Sequence, residues 1–86
     1  MKANIDPHVI LRRLKRRKIR GGKHLPEHRV LSWIKPLNRG EQNVARSAYE
    51  ECVKNGIIRR FPHTGEMHVS INPKRLEDVY KLLGES

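Results

Sequence analysis

Three kinds of side chain in this sequence could do chemistry: five histidines, a single cysteine and a dense run of cations. His24 and His28 stand four apart, the separation that brings two imidazoles onto one helix face. Pro26, however, is a helix-starting residue between them, which leaves His24 outside the helix. With one thiol in the chain and about four ligands needed to close a zinc site, no metal and no other cofactor is expected. Cys52 shares a spacing with Val44, Ala45, Ala48, Tyr49 and Val53 that places it on a buried helix face, where a thiol fills space rather than attacks. Glu50 and Glu51 are neighbours, about 100° apart on a helix, and form no carboxylate pair. No catalytic constellation is left, and the chain is not expected to be an enzyme.

The cations carry the stronger signal. Arg12, Arg13, Lys15, Arg16, Arg17, Lys18, Arg20 and Lys23 put eight positive charges into twelve residues. A polyanion bound there would release its condensed counterions, so attraction to nucleic acid is the physical expectation. The plain alternative is a solvated surface or a flexible arm. The whole chain of 86 residues holds 19 Lys and Arg against 9 Asp and Glu, a formal net charge of +10. Residues 1–36 carry eleven basic residues against Asp6 and Glu27, a net of +9, whereas residues 37–86 carry a net of only +1. The polyanion is expected to be DNA or RNA ahead of an anionic membrane surface.

Apolar runs such as Val9-Ile10-Leu11 fall far short of the ~20 residues that cross a bilayer, so no membrane partner is expected. The N-terminus has no signal-peptide core and a lone cysteine cannot close an internal disulfide, which points to a cytoplasmic protein. The periodic apolar clusters indicate a folded single domain over residues 1–86, with a basic segment at about 12–23 that is partly mobile and orders on binding.

The elements that would position these residues follow from caps and periodicity. Asp6-Pro7 starts a first helix that runs to about Arg20, stopped by Gly21-Gly22. A second spans Pro26–Lys35 with Val30, Leu31, Trp33 and Ile34 inward, ended by Pro36. A third runs from about Glu41 to Asn55, with Gly56 as its left-handed stop. A hairpin follows in NGIIRRFPHTGEMHVSINP. With His63-Thr64-Gly65 as a three-residue loop, Phe61 faces Met67, Arg59 faces Val69 and Ile57 faces Ile71, leaving Arg60 opposite His68 and Ile58 opposite Ser70 on the polar side. Asn72-Pro73 opens a last helix with the stripe Leu76, Val79, Tyr80, Leu83, closed by Gly84. Trp33, Tyr49 and Tyr80 fall on apolar stripes and are expected in the core, which argues against a platform of exposed rings for single strands.

Three helices, a hairpin and a closing helix, with the stretch YEECVKNGIIRRFPHTGEMHVSINP, resemble the winged helix-turn-helix domain from Asp6 to Gly84. The expected class is therefore α+β, mainly α. The resemblance implies a nucleic-acid-binding protein whose third helix enters the major groove of duplex DNA while the hairpin lies on the backbone, as in a small transcription or chromatin-associated factor. Duplex DNA is favoured over RNA. An RNA- or ribosome-binding module and a protein-interaction module in a larger complex stay open, because the same fold serves all three.

In the third helix, the side opposite the apolar stripe presents Arg39, Asn43, Arg46, Ser47, Glu50 and Lys54, with Gln42 at its edge. These are residue types that bond base edges, and equally those any solvated helix face carries. In the hairpin, Arg59, Arg60, His63, Thr64 and His68 suit phosphate contact; the competing explanation is that edge strands carry charge to prevent aggregation. Monomer and homodimer both stay open: Leu82 lies off the last helix's stripe, and symmetric dimers are common among duplex readers.

Overall fold

The computed structural model describes residues 6–84. Its elements in chain order are helix α1 (Val9–Arg16), strand β1 (Leu25–Pro26), helix α2 (Glu27–Leu31) continued by a 3₁₀ turn (Ser32–Ile34), helix α3 (Arg39–Lys54), strands β2 (Ile58–His63) and β3 (Glu66–Ile71), a 3₁₀ turn (Pro73–Arg75) and helix α4 (Leu76–Leu83). The architecture is α+β, four α-helices around a three-stranded antiparallel sheet of order β1-β3-β2. The core draws Ile10, Leu11 and Leu14 from α1, Val30 and Ile34 from the second helical segment, Ala45, Tyr49 and Cys52 from α3, Ile58, Val69 and Ile71 from the hairpin, and Val79 and Leu83 from α4.

The helix ends follow from local chemistry. Asp6 accepts the His8 backbone N–H at 3.0 Å and the Arg12 Nε–H at 2.6 Å, holding the entry to α1. Asn38 and Glu41 form a reciprocal capping box at the start of α3, each side chain accepting from the other's backbone N–H. At the other end Gly56 is left-handed (φ 77°), its N–H bonding the Val53 carbonyl while Ile57 N–H bonds Cys52. That pair of bonds is a Schellman stop, and it needs a residue that tolerates positive φ.

The first helix is shorter than its charge run suggests: it ends at Arg16, not near Arg20. The same stop operates with a lysine in the glycine's place. Lys18 has φ 60°, its N–H bonds Lys15, and Ile19 N–H reaches back 2.9 Å to Leu14. Turning the chain this way buries Ile19, which a continued helix would have left on its charged side. From there the chain runs beside β3. Ile71 N–H donates to Ile19 (2.9 Å), Gly21 N–H donates to Ile71 (3.3 Å), and the Ser70 hydroxyl donates to the Lys23 carbonyl (2.6 Å), before β1 pairs Leu25 with Val69 and Pro26 with His68.

The hairpin register also differs from the expectation, by one residue. Ile58 faces Ile71, Arg60 faces Val69, Phe61 faces His68 and His63 faces Glu66, leaving only Thr64-Gly65 as the loop. Both loop residues have positive φ (51° and 85°), as a two-residue I′ turn requires. A one-residue slip exchanges the faces of one strand relative to the other. The observed register unites Ile58, Val69 and Ile71 on the core side, whereas the three-residue loop would have set Ile58 against Ser70. Val44 is a further correction: expected inward, it is 47 % exposed, lying at the margin of α3's buried face. The 3₁₀ geometry after Leu31 keeps Ile34 buried while Leu31 and Trp33 are only half-buried.

Candidate nucleic-acid interface

The outward face of α3 keeps Arg39, Asn43, Arg46, Ser47 and Lys54 exposed. Arg46, Ser47 and Lys54 border one shallow depression, but Glu50 and Glu51 line it too, so its charge is close to balanced. Gln42 is committed to the fold: its side-chain amide donates to the Leu37 carbonyl at 2.8 Å and to the Lys35 carbonyl at 3.1 Å, closing the turn before α3. Sequence periodicity places it at the edge of the exposed face, and the two carbonyls explain why it is used inward.

Arg60 is committed to carboxylates of the fold itself. Because the register turns it toward the core side, its Nη1 sits 3.0 Å from Glu27 and 3.3 Å from Glu50. Glu27 also accepts the Tyr49 hydroxyl at 2.6 Å. The Glu27 bond is the main cause that raises the Arg60 pKa beyond its already high range, with both carboxylates adding charge attraction. Burial first, and then the Glu27 bond and charge, pushes the Tyr49 phenol up, so it stays a donor. This cluster ties α2, α3 and β2 together and uses a hairpin cation internally. Arg59 does remain exposed, its guanidinium over Phe61 at 5.5 Å from the ring centroid, and His63 and Thr64 are exposed at the tip.

His68 is buried at 8 % exposure. Its Nδ1 lies 2.8 Å from His24 Nδ1, which makes one ring the donor and the other the acceptor. His63 completes a triangle of imidazoles whose centroids are 4.6 to 4.8 Å apart, packed edge to face, with Phe61 against His24 at 5.3 Å. His68 Nε2 has no hydrogen-bond partner, and the nearest carboxylate oxygen, from Glu66, is 3.7 Å away. Burial, and then the charges of His63 and His68, hold the His24 pKa below the ordinary histidine value. Sequence reasoning missed this cluster, since it depends on the Gly21–His24 segment lying along the hairpin. Among the described residues no group of three or more His, Cys, Asp or Glu side chains is arranged to hold a metal ion. Cys52 is 1 % exposed, and burial, assisted by the Glu51 charge, pushes its thiol up to about 11.

The N-terminal cations behave differently. Arg12 is bonded to Asp6, and Lys15 lies over the Tyr80 ring at 5.2 Å. Arg13 and Arg17 both stand over Trp33, at 5.2 and 5.4 Å from its centroid. Arg16, Lys18, Arg20 and Lys23 are exposed. Among the described residues no carboxylate lies within ion-pair distance of Arg13, Arg16, Arg17, Lys18, Arg20 or Lys23. The strongest uncompensated positive surface is therefore that of α1 and the segment after it.

No family model matches the chain, and comparison with curated proteins and with solved structures finds no significant match. Among the described residues no helix is long and apolar enough to cross a membrane.

Proposed function

We propose that the chain is a winged helix domain that binds duplex DNA. The order α1, β1, α2, α3, β2, β3 with sheet order β1-β3-β2 supports the fold assignment, since a short strand between the first two helices pairs with the far strand of the hairpin. The observation that carries the function is the set Arg13, Arg16, Arg17, Lys18, Arg20 and Lys23, which no carboxylate among the described residues meets within ion-pair distance. In this reading Arg39, Asn43, Arg46, Ser47 and Lys54 of α3 face the major groove, while Arg59, His63 and Thr64 of the hairpin approach the backbone. The α1 cations supply most of the electrostatic affinity.

A salt titration of binding to a labelled duplex tests it. Six phosphate contacts give a slope of log affinity against log salt of about −5, roughly a thousandfold loss over a fourfold rise in salt. A chain with no duplex affinity at low salt would end the proposal. The near-balanced charge of the α3 face favours RNA as the second reading, since an unspecific basic surface suits a folded RNA as well. Competition between duplex DNA and structured RNA separates the two, and a preference for RNA of more than about tenfold, or 1.4 kcal/mol, would replace the first reading.

A further inference from the structure

Trp33 sits in the 3₁₀ turn after α2, half-buried, and two arginines one turn apart share its ring. Arg13 and Arg17 hold their guanidinium carbons 5.2 and 5.4 Å from the indole centroid. Two like charges over one ring repel each other, and the ring's negative face offsets that only in part. Among the described residues no acidic group stands within ion-pair distance of either. Arg13 continues into a small groove that it lines with Val9, Arg12 and Arg16, so a third exposed guanidinium, that of Arg16, borders the same surface.

We propose that the outward face of α1, with Trp33 as its floor, is the docking surface for the phosphodiester backbone of the nucleic acid. The proposal rests on the nucleic-acid reading above and deepens it by assigning the backbone contact to the guanidinium groups of Arg13, Arg16 and Arg17 around Trp33. Charge complementarity decides between the surfaces: the cations of the α3 depression share it with Glu50 and Glu51, and Arg60 is held by Glu27 and Glu50. Guanidinium forks match phosphate oxygens bidentately, and arginines already stacked on an indole lose less freedom on binding than extended ones. The covered ring also favours backbone over base, because a stacking platform for bases needs an open aromatic face.

Trp33 is the chain's single tryptophan, so its emission reports on this surface alone. The wild-type chain is titrated at low salt with a fluorescently labelled duplex while label anisotropy and Trp33 emission are followed together. The expected result is an emission change that saturates at the same duplex concentration as the anisotropy. Arg13→Gln with Arg17→Gln should weaken binding about tenfold or more and make the salt slope shallower by about 1.8, the contribution of two phosphate contacts. Arg13→Lys with Arg17→Lys should recover the slope and only part of the affinity, because charge returns without the planar fork. Anisotropy that reports binding while Trp33 emission stays constant, with the Gln variant within twofold of wild type, overturns this surface and leaves the nucleic-acid reading standing. No binding of duplex or RNA at low salt overturns both. An emission change with phosphatidylserine vesicles but none with duplex overturns it in favour of a lipid headgroup.

Discussion

Arg60 of the hairpin and the cations from Arg16 onward look alike in the sequence and are placed in opposite electrical circumstances. Arg60 lies between two carboxylates and serves the join of three elements, whereas among the described residues no carboxylate lies within ion-pair distance of Arg16, Arg17, Lys18, Arg20 or Lys23. The difference comes from the backbone. The I′ turn sets a register that points Arg60 toward Glu27 and Glu50, while the stop at Lys18 ends α1 and sends the basic chain alongside β3. Formal charge is a property of composition, but an attractive field needs charge that the fold has not already neutralised.

The contrast can be broken most severely through the anchor of α1. Leu14→Ala removes a core side chain with no exposed surface, so we expect a loss of about 3 kcal/mol in denaturant unfolding. A loss below about 1 kcal/mol would mean that α1 is not held as described. Next, Arg60→Ala should cost stability, about 1 to 2 kcal/mol once solvent screening at a partly exposed pair is allowed for, and change duplex affinity less than threefold. Arg16→Gln with Arg20→Gln should do the reverse: stability within about 0.5 kcal/mol of wild type and a salt slope shallower by about 1.8. If both variants lose affinity equally, the distinction between the two regions fails.

A smaller effect is expected at the helix stop. Lys18→Gly relieves a left-handed lysine and should raise stability by up to about 1 kcal/mol, less what the freer unfolded chain takes back. An unchanged or lower denaturant midpoint would show that the lysine's own contacts outweigh the strain. The smallest concerns pH. Because the folded state holds the His24 pKa below its unfolded value, its contribution is fully present above about pH 6.5 and is lost as pH falls through the depressed folded value. The melting temperature should therefore drop between about pH 7.5 and 5, and less so in His24→Gln. An equal drop in both proteins would remove His24 from the account.

The third helix and the existence of the hairpin were legible because each carries local information: an apolar stripe, a glycine stop, alternating strands around Thr64-Gly65. What escaped was set by contacts or by residues in unusual backbone states. Lys18 and Thr64 both adopt a left-handed conformation that glycine normally signals, so the end of α1 and the hairpin register were each misplaced. Strand β1 is two residues long and has no period to read; Pro26 serves both as its last residue and as the N-cap of α2. Arg60 meets Glu27 across 33 positions, and His24 meets His68 across 44, distances over which a single sequence is silent.

Cys52 gives the protein a built-in clock. Its thiol is shielded by the core and held protonated at neutral pH, so an alkylating reagent can reach it only when α3 lifts away or the whole domain opens. The labelling rate at this one position would then measure how often the interior is bared, and a ligand that grips the folded form should slow it in proportion to its occupancy.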